Sequence, residues 1–344
     1  MGERPTAPRA ADPTVGYPPP PAAESPPPPA AVAVPAALVD PSVTILVDHV
    51  SRWYGNVVAV NDVSIALRPG ITGLLGPNGA GKTTILNMAA GLLRPSAGSV
   101  TVLGAPAWRN PATYRRIGLV PEREAVYPFL TGREFVRLNA KLQGLADPDG
   151  ATRTAIHTVD LDAAADRAVG TYSKGMRQRV KVAAALVHEP QVLLLDEPFN
   201  GMDPRQRLHM MELLTGMARE GRTILFSSHI LEEVERLAQS VLVIVAGRLA
   251  ASGNFRDIRR LMTDRPHTFT IHSSDNRRLA AALLERDPVF GVELADGLLT
   301  VRSADYAAFT RLVAGVARDT SVTLYELRPT DESLESVFQY LVAR

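Results

Sequence analysis

Residues 71–90 read Ile-Thr-Gly-Leu-Leu-Gly-Pro-Asn-Gly-Ala-Gly-Lys-Thr-Thr-Ile-Leu-Asn-Met-Ala-Ala. The apolar run 71–75 reads as a buried strand. Ile85, Leu86, Met88 and Ala89 repeat at helical spacing before Gly91. Between strand and helix, Gly76, Gly81, Lys82 and Thr83 fit the spacing G-x-x-x-x-G-K-[ST]. Glycines let such a loop curl so that its backbone N–H groups face inward, and the following helix adds the positive end of its dipole. The loop Gly76, Pro77, Asn78, Gly79, Ala80, Gly81, Lys82, Thr83 and Thr84 is therefore a candidate cradle for phosphates. In it, the Lys82 ammonium reaches the outer phosphate oxygens and the Thr83 hydroxyl is available to Mg²⁺.

Working outward, the segments 43–48, 57–67, 117–120, 192–195, 223–226 and 241–245 are rich in Val, Ile and Leu and read as strands. Helical patterns cover 133–142, 174–188, 205–219 and 230–239. Strands alternating with helices predict an α/β fold with a largely parallel sheet. Composition shifts after Gly253. Residues 267–327 then read strand, helix, strand, strand, helix, strand, a βαββαβ order of ferredoxin-like type, and a last helix is expected over 333–341. Residues 1–41 form a Pro/Ala-rich head with two tetraprolines, and such a segment buries too little apolar surface to offset its ordering entropy. The expected organisation is a disordered head at 1–41, a main α/β domain at 42–253 and a small α+β accessory domain at 254–344.

The composition narrows the function. Lys+Arg is 37 against 36 Asp+Glu in 344 residues, and a net charge of +1 argues against nucleic acid as a partner, since that requires a basic surface. The absence of cysteine excludes disulfide scaffolds, thiolate catalysis and Cys-type metal sites. No run approaches the ~20 apolar residues of a spanning helix, and the head lacks the apolar segment of a signal peptide, so a membrane role is expected only through a partner. Lysine occurs four times against 33 arginines. Lys82 lies in the cradle and Lys174 in a motif described next, whereas Lys141 and Lys181 match no motif.

Three further stretches carry chemistry. The apolar strand 192–195 ends in Asp196-Glu197, and ligands of parallel sheets gather at the carboxyl ends of strands. There Asp196 is a candidate Mg²⁺ ligand, and Glu197 is a candidate to orient or deprotonate a water attacking the γ-phosphate. Tyr172-Ser-Lys-Gly-Met-Arg-Gln178 opens a helix, where the Ser173 hydroxyl and the backbone at Gly175 can meet an anion. His229 follows a strand in Ser-Ser-His-Ile.

Taken in order, these motifs resemble the nucleotide-binding subunit of an ABC transporter, over residues 43–253. The resemblance implies a P-loop NTPase fold of ABC type with a helical subdomain, ATP and Mg²⁺ as ligands, and ATP hydrolysis. It implies that Tyr54 stacks on adenine and that Ser173 and Gly175 meet the γ-phosphate held by the opposite subunit. Asp196 and Glu197 match the metal-binding and catalytic carboxylates, Gly201-Met-Asp203 the loop that couples the two sites, and His229 the switch histidine. Two positions depart from the usual pattern. Glu122 stands where the family has Gln at the switch loop, and a carboxylate there can ligate Mg²⁺. Lys174 and Met176 replace the second and fourth residues of the usual Ser-Gly-Gly-Gln. With Ser333-Leu-Glu-Ser-Val-Phe338, these variants resemble ATPases serving ABC-2-type exporters. A signature acting in trans implies a head-to-tail dimer with a second copy or a related subunit. The partner is then a permease of about six membrane helices on another chain, received near Tyr127, Phe129 and 133–142, which places the chain on the cytoplasmic face of the membrane. The alternatives are a non-transport ABC ATPase and a regulatory module built on the accessory domain.

Overall fold

The parallel strands of the central sheet are buried on both faces, which is why they read as unbroken apolar runs. The computed structural model describes residues 40–123, 126–254, 258, 267–295, 297–330 and 338. The first elements are β1 (Ile45–Tyr54), β2 (Val57–Leu67), β3 (Gly70–Leu75), α1 (Lys82–Ala89), β4 (Ala97–Val102), β5 (Ala105–Pro106), α2 (Pro111–Tyr114) and β6 (Ile117–Val120). Then follow α3 (Gly132–Leu142), α4 (Pro148–Thr158), α5 (Lys174–Leu186), β7 (Val192–Asp196), α6 (Pro204–Arg219), β8 (Thr223–Ser227), α7 (Leu231–Leu237), β9 (Ser240–Val245) and β10 (Arg248–Gly253).

The central sheet has the order β10-β9-β3-β8-β7-β6, parallel apart from the antiparallel edge strand β10. Alternate residues of β7 serve opposite faces. Leu193 and Leu195 join a core with α3 to α7, while Val192 and Leu194 join a core with α1 and the second sheet. That second sheet, β2-β1-β4-β5, is antiparallel and covers the α1 side. Its first strand runs six residues beyond the 43–48 expected from the sequence. Register shifts between Val47 and Val50 absorb the polar Asp48-His49 pair, with His49 at φ 47°, so the strand continues past the point where its alternation breaks.

The parallel register brings four loop starts to one edge. Val120 pairs with Leu195, Asp196 with Ser227, Leu74 with Ser227, and Leu75 with Val243. The residues that follow β3, β6, β7 and β8 therefore share one end of the sheet.

The remaining elements are β11 (His267–Ser273), α8 (Asn276–Leu284), β12 (Val289–Ala295), β13 (Leu298–Ser303), α9 (Tyr306–Asp319) and β14 (Leu324–Pro329). Their sheet has the order β12-β13-β11-β14, antiparallel throughout, which is the ferredoxin-like arrangement of a βαββαβ chain. Phe269, Ile271, Leu279, Leu299, Val301 and Phe309 build a core of their own between this sheet and its two helices. Phe338, helical, and Ile258 pack against the α3–α7 core of the first part. The rest of the expected helix 333–341, and the head up to residue 39, lie outside the described residues. Among the described residues, no helix is long and apolar enough to cross a membrane.

Candidate functional site

The loop between β3 and α1 wraps a cavity of about 320 Å³. Asn78, Gly79, Gly81, Lys82, Thr83 and Thr84 line it together with Glu122, Asp196 and Glu197. Gly81 has no substitute here. Its φ is 104°, and a Cβ would stand 2.5 Å from the Ala59 carbonyl oxygen. Ala80 is buried beneath the loop, and Lys82 Nζ donates to the carbonyls of Gly76 (2.7 Å) and Pro77 (3.2 Å). Burial pulls the Lys82 pKa below its ordinary value, against the opposing charges of Glu197, Asp196 and Glu122. Three carboxylates therefore share the cavity with one ammonium.

Thr83 Oγ1 donates to Asp196 Oδ2 at 2.7 Å. A hydroxyl and a carboxylate in contact, with the Glu122 carboxylate on the same cavity, form the hard oxygen donor set that Mg²⁺ takes, with room left for water and phosphate oxygens. The donor chemistry fits the metal.

Glu197 departs from ordinary backbone geometry, with φ at 52°. This left-handed conformation costs a non-glycine residue of order 1–3 kcal/mol, and such strain clusters at functional sites. It aims the side chain at His229, whose Nδ1 lies 2.9 Å from Glu197 Oε2. Burial raises the Glu197 pKa, and the His229 contact and the Lys82 charge oppose that rise. A carboxylate pushed upward is a stronger base near neutral pH.

One contributor escapes a motif reading. Ser227, fully buried at the end of β8, donates from Oγ to Asp196 Oδ1 at 2.5 Å and accepts from the Glu197 backbone N–H at 3.0 Å. It fixes both carboxylate residues at once. Its only trace in the sequence is the serine pair before His229.

The structure separates other expected residues from the cavity. Ser173 caps α5, its Oγ accepting from Met176 N at 3.2 Å, and neither Ser173 nor Gly175 lines the cavity. Gly175 instead packs on the chain's own 201–206 segment, where a Cβ would meet Gln206 Oε1 at 2.5 Å. Lys174 Nζ donates to Asn200 Oδ1 at 2.9 Å. Tyr54 stands 47 % exposed at the end of β1, with the Arg52 guanidinium 4.7 Å from its ring centroid. Phe129 is 77 % exposed and Tyr127 52 %, their rings 5.9 Å apart, so neither is core.

The comparisons agree with this geometry. The family profile described as ABC transporter matches residues 60–200. The linearmycin resistance ATP-binding protein LnrL of Bacillus subtilis is 31% identical over 306 residues, covering 86% of this chain and 97% of that protein. The bacitracin transport ATP-binding protein BcrA of Enterococcus faecalis is 32% identical, covering 86% and 95%. A solved ATP-binding subunit of an ABC transporter superposes with a TM-score of 0.58 at 32% identity, over 63% of this chain and 92% of that one. With a strand-loop-helix cradle facing an Asp-Glu pair, and relatives matched along nearly their whole length, the chain belongs to the ATP-binding, ATP-hydrolysing subunits of ABC transporters.

Proposed function

We propose that the chain hydrolyses ATP as one half of a head-to-tail dimer that drives a separate ABC-2-type export permease. The observation that carries this reading is the placement of Glu197, aimed by a left-handed backbone at His229 and set across one cavity from Lys82 and Thr83. Gly76 to Thr84 hold the phosphates, with Pro77 and Ala80 shaping the loop. Lys82 meets the β- and γ-oxygens. Thr83, Asp196 and Glu122 would hold Mg²⁺, which would offset phosphate charge. Glu197 takes a proton from water as its oxygen bonds to the γ-phosphorus, and the bond to the β–γ bridging oxygen breaks with its electron pair leaving on ADP. His229 orients Glu197 and the γ-phosphate.

The position of Ser173 and Gly175 outside this cavity supports their action on the partner copy's nucleotide, and the exposed Tyr54 ring offers a face for adenine. ATP binding closes the dimer, and product release reopens it. The groove beside Tyr127, Phe129 and α3 receives the permease, which holds the chain at the cytoplasmic face of the membrane. The assignment of 1–41 as a solvated head, 42–253 as the ATP-binding domain and 254–344 as the accessory domain belongs to the same reading.

The test is Glu197→Gln in the full chain. With ATP and Mg²⁺ the variant is expected to run as a dimer in gel filtration, and without ATP as a monomer. A variant that stays monomeric at saturating ATP refutes the dimer. Affinity capture from membranes should recover a chain of about six apolar helices, and recovery without one removes the permease.

A further inference from the structure

Lys181 lies in α5, eight residues beyond Ser173, or about 12 Å along the helix axis. Lys181 is 5 % exposed. Nζ reaches across to the turn that follows β6, donating to the carbonyls of Pro121 (2.8 Å), Arg123 (3.3 Å) and Glu122 (3.5 Å). An ammonium has three donors and no acceptor, so carbonyls gathering round it are fixed in orientation. Charge-assisted hydrogen bonds are also the stronger kind. The same residue that gives its carbonyl to Lys181 turns its side chain to the nucleotide cavity, where Glu122 stands with Asp196 and Lys82. On the other side, Lys181 joins Phe135 and Asn139 of α3 along a cleft of about 270 Å³ between α3, α5 and β6.

We propose that Lys181 is a positioning residue, tying the 121–123 turn to α5 so that the reach of Glu122 toward the nucleotide is set from the helix that carries the signature. This rests on the reading of Glu122 as a metal ligand given above. One rigid helix then presents Ser173 at its start to the partner's nucleotide and grips the chain's own switch loop in its middle. A shift of α5 on dimer closure moves Glu122 with it. Lys141, the other lysine outside the motifs, sits exposed at the end of α3 and makes no comparable contact among those described.

The experiment uses the full chain carrying Glu197→Gln, so that ATP is retained, and compares ATP affinity with Mg²⁺ and with a chelator by calorimetry. Lys181→Met is expected to leave metal-free affinity within about twofold and to weaken Mg²⁺-dependent affinity about tenfold, the size typical of losing a group behind a metal ligand. Amide exchange over 120–123 should quicken, and Lys181→Arg should restore most of both effects. Glu122→Ala should weaken Mg²⁺-dependent affinity alone, and adding Lys181→Met to it should cost little more. Should Lys181→Met melt too early to titrate, Lys181→Gln, which keeps one donor, takes its place. Equal losses with and without metal, or unchanged Mg²⁺-dependent affinity in a folded variant while Glu122→Ala lowers it, overturn the role of Lys181. Unchanged Mg²⁺-dependent affinity in Glu122→Ala overturns the metal reading of Glu122 first, and the proposal with it.

Discussion

The central sheet and the C-terminal sheet each carry helices on their strands, yet only one of them gathers chemistry. In the central sheet, parallel strands end side by side, so the residues after β3, β6, β7 and β8 meet although the sequence separates them by up to 150 positions or so. In the C-terminal sheet every pair is antiparallel, so neighbouring strands end at opposite edges. There the loops are shared between two rims, and the buried side chains, Phe269, Ile271, Val301 and Phe309 among them, serve packing. Parallel order concentrates strand ends, and antiparallel order disperses them.

The largest effect should come from Glu197→Gln. Loss of the proton acceptor is expected to lower kcat about 10³-fold with ATP affinity kept, measured by phosphate release. A turnover near the parent's would remove Glu197 from its role and break the contrast between the sheets. Next is Lys82→Ala, expected to weaken ATP binding about 100-fold by removing a buried charge from the phosphates, read by calorimetry. Ser227→Ala leaves Asp196 Oδ1 without its buried donor and frees the Glu197 backbone, so kcat should fall about tenfold with a smaller change in ATP affinity. The pH profile sharpens the picture further. The base must be deprotonated, and burial raises the Glu197 pKa. Hydrolysis should therefore fail on acidification at a pH above the ordinary 4.5 of a glutamate. The lowered Lys82 pKa should bring the alkaline limb below 10.5. The smallest expected effect at the site belongs to Phe309→Ala. It should destabilise the C-terminal core by about 3–5 kcal/mol in denaturant titration and leave ATP affinity unchanged. A matching loss of ATP affinity would show that the two sheets act together.

Much of this was legible in the chain. The cradle is contiguous, and a run such as Val192 to Leu195 before Asp196-Glu197 declares both a doubly buried strand and its functional end. The βαββαβ order also follows from local patterning, because β11, β13 and the two helices there each bury one face. What stayed hidden depends on partners far away in sequence. Lys181 matches no motif, since its carbonyl acceptors lie 58 to 60 residues earlier. Ser227 looks like any serine ending a strand until β8 is laid beside β7. The left-handed backbone of Glu197 has no signal, because nothing in a glutamate before proline announces it. The strands β4 and β10 escaped for another reason. In β4 the branched residues are confined to Val100-Thr-Val102 after Ala97-Gly-Ser, and Ala250-Ala-Ser-Gly253 of β10 has none, so these strands form by pairing with stronger neighbours.

The backbone of Glu197 has a consequence for heat tolerance. A glycine at that position would take φ of 52° without strain and would relieve the burial of a carboxyl group, so the folded chain would gain stability while losing its base. The working sequence is thus held below the stability its own fold permits, at a residue where turnover and endurance pull in opposite directions. A search for hardier variants of this protein that screened only for survival on heating would drift toward chains that bind ATP and never release its energy.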